Sequence, residues 1–109
     1  MKIICVYYKE IQLGELTQIA STYYYKTIPQ NIKKAHEQGY LTFMFNCDND
    51  FASNKLPYSI QNFIVPDKNI ELWKEANIQQ TDSDFEKLCK IASLKNIEYP
   101  DFYIKIKED

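Results

Sequence analysis

Residues 2–8, Lys-Ile-Ile-Cys-Val-Tyr-Tyr, are apolar at six consecutive positions, Ile3 to Tyr8. As an extended chain this run has two apolar faces. Such a strand belongs inside a sheet, with a neighbour on each side. It is either covered on both faces, or covered on one and lined with tyrosine on the other. A second segment has the opposite character. Residues 101–107 alternate strictly, with Phe102, Ile104 and Ile106 on one side and Tyr103, Lys105 and Lys107 on the other. This pattern predicts a half-exposed strand, and its lysines suit a sheet edge.

Between these two strands the signals vary in strength. Leu13, Leu16, Ile19, Ala20, Tyr23 and Tyr24 fall at helical spacing. Residues 22–28, Thr-Tyr-Tyr-Tyr-Lys-Thr-Ile, favour a strand by propensity. Residues 16–28 therefore stay open between helix and strand. Pro29 interrupts either element and suits the first turn of a short helix that ends before Gly39. Over 40–47 alternation predicts a strand, with Leu41, Phe43, Phe45 and Cys47 on one face. The polar stretch 48–57 reads as the longest loop. Residues 58–65 read as a further strand closed by Pro66, and Asp67 can cap a helix carrying Ile70, Trp73 and Ala76. Ser83 and Glu86 have the spacing of a capping box. They open the clearest helix of the chain, with Phe85, Leu88, Cys89 and Ala92 on one stripe. Asp82, Asp84 and Glu86 near its start, and Lys90 and Lys95 near its end, match the helix dipole.

The resulting order is strand, helix, strand, strand, helix, strand. It predicts one α+β domain over residues 1–109 on the βαββαβ, ferredoxin-like plan, with a mostly antiparallel sheet. The rival is a five-stranded α+β sheet with an extra strand near 22–28. A length of 109 residues suffices for one core without covalent staples.

Composition removes several classes of function. All thirteen basic residues are lysine, so the forked donor that grips carboxylates and phosphates is absent. Only Gly14 and Gly39 are glycines, which excludes a P-loop and a G-x-G-x-x-G turn. A net charge of −2 argues against a dedicated duplex-DNA binder. Cys5, Cys47 and Cys89 are widely spaced and have one histidine, His36, for company. That pattern gives no zinc site and reads as three buried thiols of a reducing compartment. The apolar run after Lys2 is too short for a signal-peptide core or a membrane span, so a cytoplasmic chain is expected.

Catalytic signatures are equally sparse. Asp48-Asn49-Asp50 lacks the glycine and the bidentate glutamate of a calcium loop and reads as a turn. Nothing brings Cys47 and His36 together as a thiolate–imidazole pair, and His36 reads as a solvated side chain. No catalytic residue, metal ligand or cofactor is expected.

What remains is an unusual supply of tyrosine, nine in all, too many to hide completely. Exposed tyrosine provides broad contact at low entropic cost. The sequence therefore points to a small protein without catalysis that binds another protein and neutralises or regulates it. Immunity proteins, antitoxins and phage-encoded inhibitors are of this kind, and the modest acidity suits a lysine-rich or basic toxin or effector. The expected contact residues are Tyr23, Tyr24, Tyr25, Asp48, Asp50 and Tyr103. The alternative is a small nucleic-acid-binding or nuclease domain of ferredoxin-like fold, with Tyr103 as a stacking platform and Lys105 and Lys107 on phosphates. The net charge and the lack of an RNP1-like strand weigh against it.

Overall fold

Strand β1 (Lys2–Tyr8) runs inside a sheet, as its two apolar faces require, between β2 (Ile11–Ile19) and β5 (Phe102–Glu108). The computed structural model describes residues 2–94 and 101–108, with the side chains of residues 66–69 and of Glu108 left out. Lys95 and Tyr99 lie outside what is described, and the cap position of the helix Pro66–Glu75 is Val65, so Asp67 stands inside the first turn and not at the cap expected for it. Strands β3 (Thr22–Thr27) and β4 (Phe51–Ser53) extend the sheet on the far side of β2. The order is β4-β3-β2-β1-β5, and every pairing is antiparallel.

This order is not the βαββαβ plan. The first three strands form an uninterrupted meander with no helix between them. The strand at Thr22–Thr27 and the count of five follow the rival reading, although two of the other strands lie elsewhere. Residues 13–28 are the reason. The helical spacing there is coincidental, because the chain reverses at Ala20-Ser21 with Ala20 at a φ of 54°. Thr17 then lies opposite Tyr24, and Leu16 opposite Tyr25. The β-branched and aromatic residues of 22–27 find a cross-strand partner at each position.

Two further expectations are corrected. Residues 40–47 form no strand; Thr42–Phe45 is a 3₁₀ turn ended by Asn46 in the left-handed region. Alternation fails as a signal because Leu41 and Phe43 are exposed while Cys47, in the same phase, is fully buried. Residues 58–65 form no strand either. Helix α2 (Tyr58–Gln61) passes into a 3₁₀ turn (Asn62–Ile64), and Ile60 and Ile64, one helical turn apart, both point inward. The loop read over 48–57 contains the short edge strand β4.

The other helices follow their signals. Helix α1 (Pro29–Glu37) has proline in its first turn, and Gly39 at a φ of 79° follows its end. Helix α3 spans Pro66–Glu75. Helix α4 (Asp84–Ala92) is capped by Ser83, whose hydroxyl accepts from the Glu86 N–H at 3.2 Å. Lys90 of its last turn reaches back 2.6 Å to Asp82, whose carboxyl is held below the ordinary range chiefly by that hydrogen bond.

The helices cover one face of the sheet. There Ile4, Val6, Leu16, Tyr25, Phe102 and Ile104 meet Ile60, Leu88 and Ile91 in one core. The opposite face carries Cys5, Tyr7, Glu15, Thr17, Tyr24, Lys26, Tyr103, Lys105 and Lys107. This is the tyrosine-lined arrangement, with the rings of Tyr7 and Tyr103 stacked at 5.2 Å and 2° apart in plane. No helix among the described residues is long and apolar enough to cross a membrane.

Candidate functional site

Of the six expected contact residues, two are core. Tyr25 is 1 % exposed, and its hydroxyl donates to the Cys47 carbonyl at 2.7 Å. Tyr23 is buried against Phe85. Neither ring has surface to offer a partner. The alternation of the pleat decides this, since Tyr23 and Tyr25 share the helix-covered face and Tyr24 between them does not. Tyr24 is exposed on the open face. Tyr103 is half-buried there and donates to the Lys9 carbonyl at 2.6 Å. Asp48 and Asp50 lie at the other edge of the sheet, so the six do not form one surface.

Asp48 and Asp50 instead line a shallow groove of about 730 Å³ between α1 and the 46–50 segment, together with Thr27, Lys33, His36, Glu37 and Asn49. A second cavity, lined by Phe43, Asn46 and Phe51, shares Ile32, His36, Asp48, Asn49 and Asp50 with the first. Asp50 accepts from both the backbone N–H and the hydroxyl of Thr27, at 2.7 and 2.8 Å. These bonds hold its carboxyl below the ordinary range, so it stays ionised. His36 Nε2 lies 2.8 Å from Asp48 Oδ2 and 3.2 Å from Thr42 Oγ1. The acceptor-only carboxylate of Asp48 calls for a donor at Nε2. Asp48 Oδ1 is buried and accepts no hydrogen bond from the described residues. The pairing of His36 with a residue twelve positions on leaves no spacing signature in the sequence; the side chain is exposed, as expected, and gains Asp48 as a partner.

An oriented histidine can serve as a general base. The thiol next to Asp48 in sequence does not complete a nucleophilic pair. Cys47 is fully buried, and burial pushes its pKa up to about 12. Its thiolate share at neutral pH is then far below that of an unburied thiol. Cys5 and Cys89 are buried as well. We therefore expect Ellman's reagent to label none of the three cysteines of the folded chain within minutes, and all three in guanidinium. Fast labelling of the native protein would contradict this burial. Among the described residues no cluster of three or more His, Cys, Asp or Glu side chains is arranged to hold a metal ion.

The most exposed apolar side chains come from the 3₁₀ turn and α2, and one of them, Phe43, lines the cavity beside His36. Phe43 is 62 % exposed, Met44 64 % and Tyr58 81 %, with Leu41 close behind. The 3₁₀ turn that carries Phe43 and Met44 packs against α2, and Ser59 donates to the Phe45 carbonyl, which seats Tyr58 beside the turn. Two segments in contact with each other thus carry four large exposed apolar side chains. Sequence reading misses them because it assigns Phe43 and Tyr58 to strands. A run of Leu, Phe and Met ended by Asn, without a consistent phase of burial, is the only trace they leave.

No family model matches this chain, and no curated protein and no solved structure matches it.

Proposed function

We propose that this chain binds another protein through the surface made by Leu41, Phe43, Met44 and Tyr58, and thereby neutralises or regulates that partner. The observation that carries the reading is the exposure of these four side chains on backbone that is itself held in place. Large apolar groups left in water cost free energy, and burying them against a partner recovers it at about 25 cal/mol per Å². An aromatic ring and a flexible thioether are frequent anchors of such contacts. The scarcity of activated side chains fits binding better than turnover, in the manner of immunity proteins, antitoxins and phage-encoded inhibitors.

The test is a tagged capture from the organism that makes the protein, with the wild type and with the double substitution Phe43→Asp, Met44→Asp. Both positions are exposed, so the melting temperature should move by no more than a few degrees. Loss of a stoichiometric protein partner, by a factor of about 30 or more in affinity, is expected. Retention of the same partner by the folded double variant would reject the surface.

One observation favours a second reading. Lys26, Lys105 and Lys107 share the open sheet face with the stacked Tyr7–Tyr103 pair, against the carboxylate of Glu15. Lysine and stackable rings are the ingredients of a single-strand surface. Recovery of nucleic acid in the same capture, in place of a protein, would support it.

A further inference from the structure

We infer that the segment of the partner received here carries lysine or arginine beside an apolar side chain. The inference rests on the protein-binding reading above and specifies the chemistry of its occupant. Phe43 belongs at once to the exposed apolar side chains and to the wall of the second cavity, which shares His36, Asp48, Asn49 and Asp50 with the groove. An apolar group laid on Phe43 therefore brings its neighbours in sequence over that groove.

The charges facing the groove are those of Lys33, Glu37, Asp48 and Asp50, with the imidazole of His36. Three carboxylates stand against one lysine, and the histidine is committed to Asp48. Asp50 is fixed by two hydrogen bonds from Thr27 and keeps its charge, so a cation arriving there meets an oriented anion and not a wandering side chain. An acidic segment would meet like charge and be turned away. Among the described residues the open sheet face has the opposite balance, with lysine predominant.

The experiment uses a phage-displayed library of random dodecapeptides, selected against the whole chain and rescreened against variants. The expected outcome is enrichment of peptides with Lys or Arg within two positions of Leu, Phe, Met or Trp. Their affinity should fall at least tenfold in Glu37→Lys combined with Asp50→Asn, and at least tenfold between about 50 and 500 mM salt. It should be lost in Phe43→Asp. Glu37 is an exposed helix residue, and the amide put in place of the Asp50 carboxylate keeps an acceptor for Thr27, so circular dichroism should report an unchanged fold. Enriched peptides that are uncharged or acidic, yet still depend on Phe43, would overturn the inference and leave the protein-binding reading standing. Basic peptides that bind equally well to Phe43→Asp would overturn it too, since they would occupy another surface. A library with no Phe43-dependent binder also overturns it, while the capture experiment judges the reading separately.

Discussion

Replacing Tyr25 by alanine will destabilise this fold by about 3–5 kcal/mol, the range for deleting a buried aromatic side chain. The ring is 1 % exposed, stacks on Phe51 at 5.2 Å and lies over Gly14 of the neighbouring strand. Its hydroxyl donates to the Cys47 carbonyl at 2.7 Å and so ties β3 to the segment that carries Asp48 and Asp50. Tyr25→Phe keeps the ring and loses only that bond, leaving a buried carbonyl unsatisfied, at about 1–2 kcal/mol. Burial drives the Tyr25 phenol pKa well above its ordinary value, so alkaline titration of the native protein should leave this tyrosine unionised. Denaturant unfolding of the three proteins checks the order. A loss in Tyr25→Ala no larger than in Tyr25→Phe would show that the ring is not packed as described.

Gly14→Ala is expected to cost about 3 kcal/mol by overpacking, although alanine is the smallest side chain that could be added. A Cβ at this position would lie 2.5 Å from the Lys26 carbonyl oxygen and 2.6 Å from the end of the Tyr25 ring. The oxygen is backbone, paired across β2 and β3, and cannot step aside without disturbing the ladder. The two substitutions should therefore be coupled. In a Tyr25→Ala background the ring contact is gone and the backbone contact remains, so Gly14→Ala should cost less but not nothing. Simple additivity in that double-mutant cycle would contradict the geometry. By contrast, Gly39 has open space where a Cβ would go and owes its place to a positive φ.

Where sequence rules describe a single side chain's local task, they read this protein well. Ser83 caps α4, Pro29 opens α1, Gly39 follows its end, and the alternating segment near Phe102–Glu108 is an edge strand. They fail where two periods compete. Residues 13–24 match helical spacing, but their positions are set by pairing with strands on either side, a non-local term that local propensity does not contain. Both hairpin turns are silent in the sequence as well. Lys9 and Ala20 take positive φ where asparagine or glycine is usual. The candidate site is less legible than the fold. Composition points to tyrosine as the contact residue, yet pleat alternation buries Tyr23 and Tyr25 and leaves Tyr24 outside. The exposed side chains of Leu41, Phe43, Met44 and Tyr58 come from segments whose alternation imitates strands. The pairing of His36 with Asp48 depends on how a helix and a later turn meet.

The position of β5 next to β1 has a consequence for how the protein is made. A ribosome delivers β1 well before β5, so a strand that ends inside the sheet is for an interval an exposed margin. The meander β1–β2–β3 can close early, because its pairings are local and loop closure is cheap. During that interval the bare flank of β1, apolar on both faces, is open to pairing with the wrong chain. A nascent chain stalled before Phe102 should consequently recruit chaperones or aggregate, and one carried past Glu108 should not.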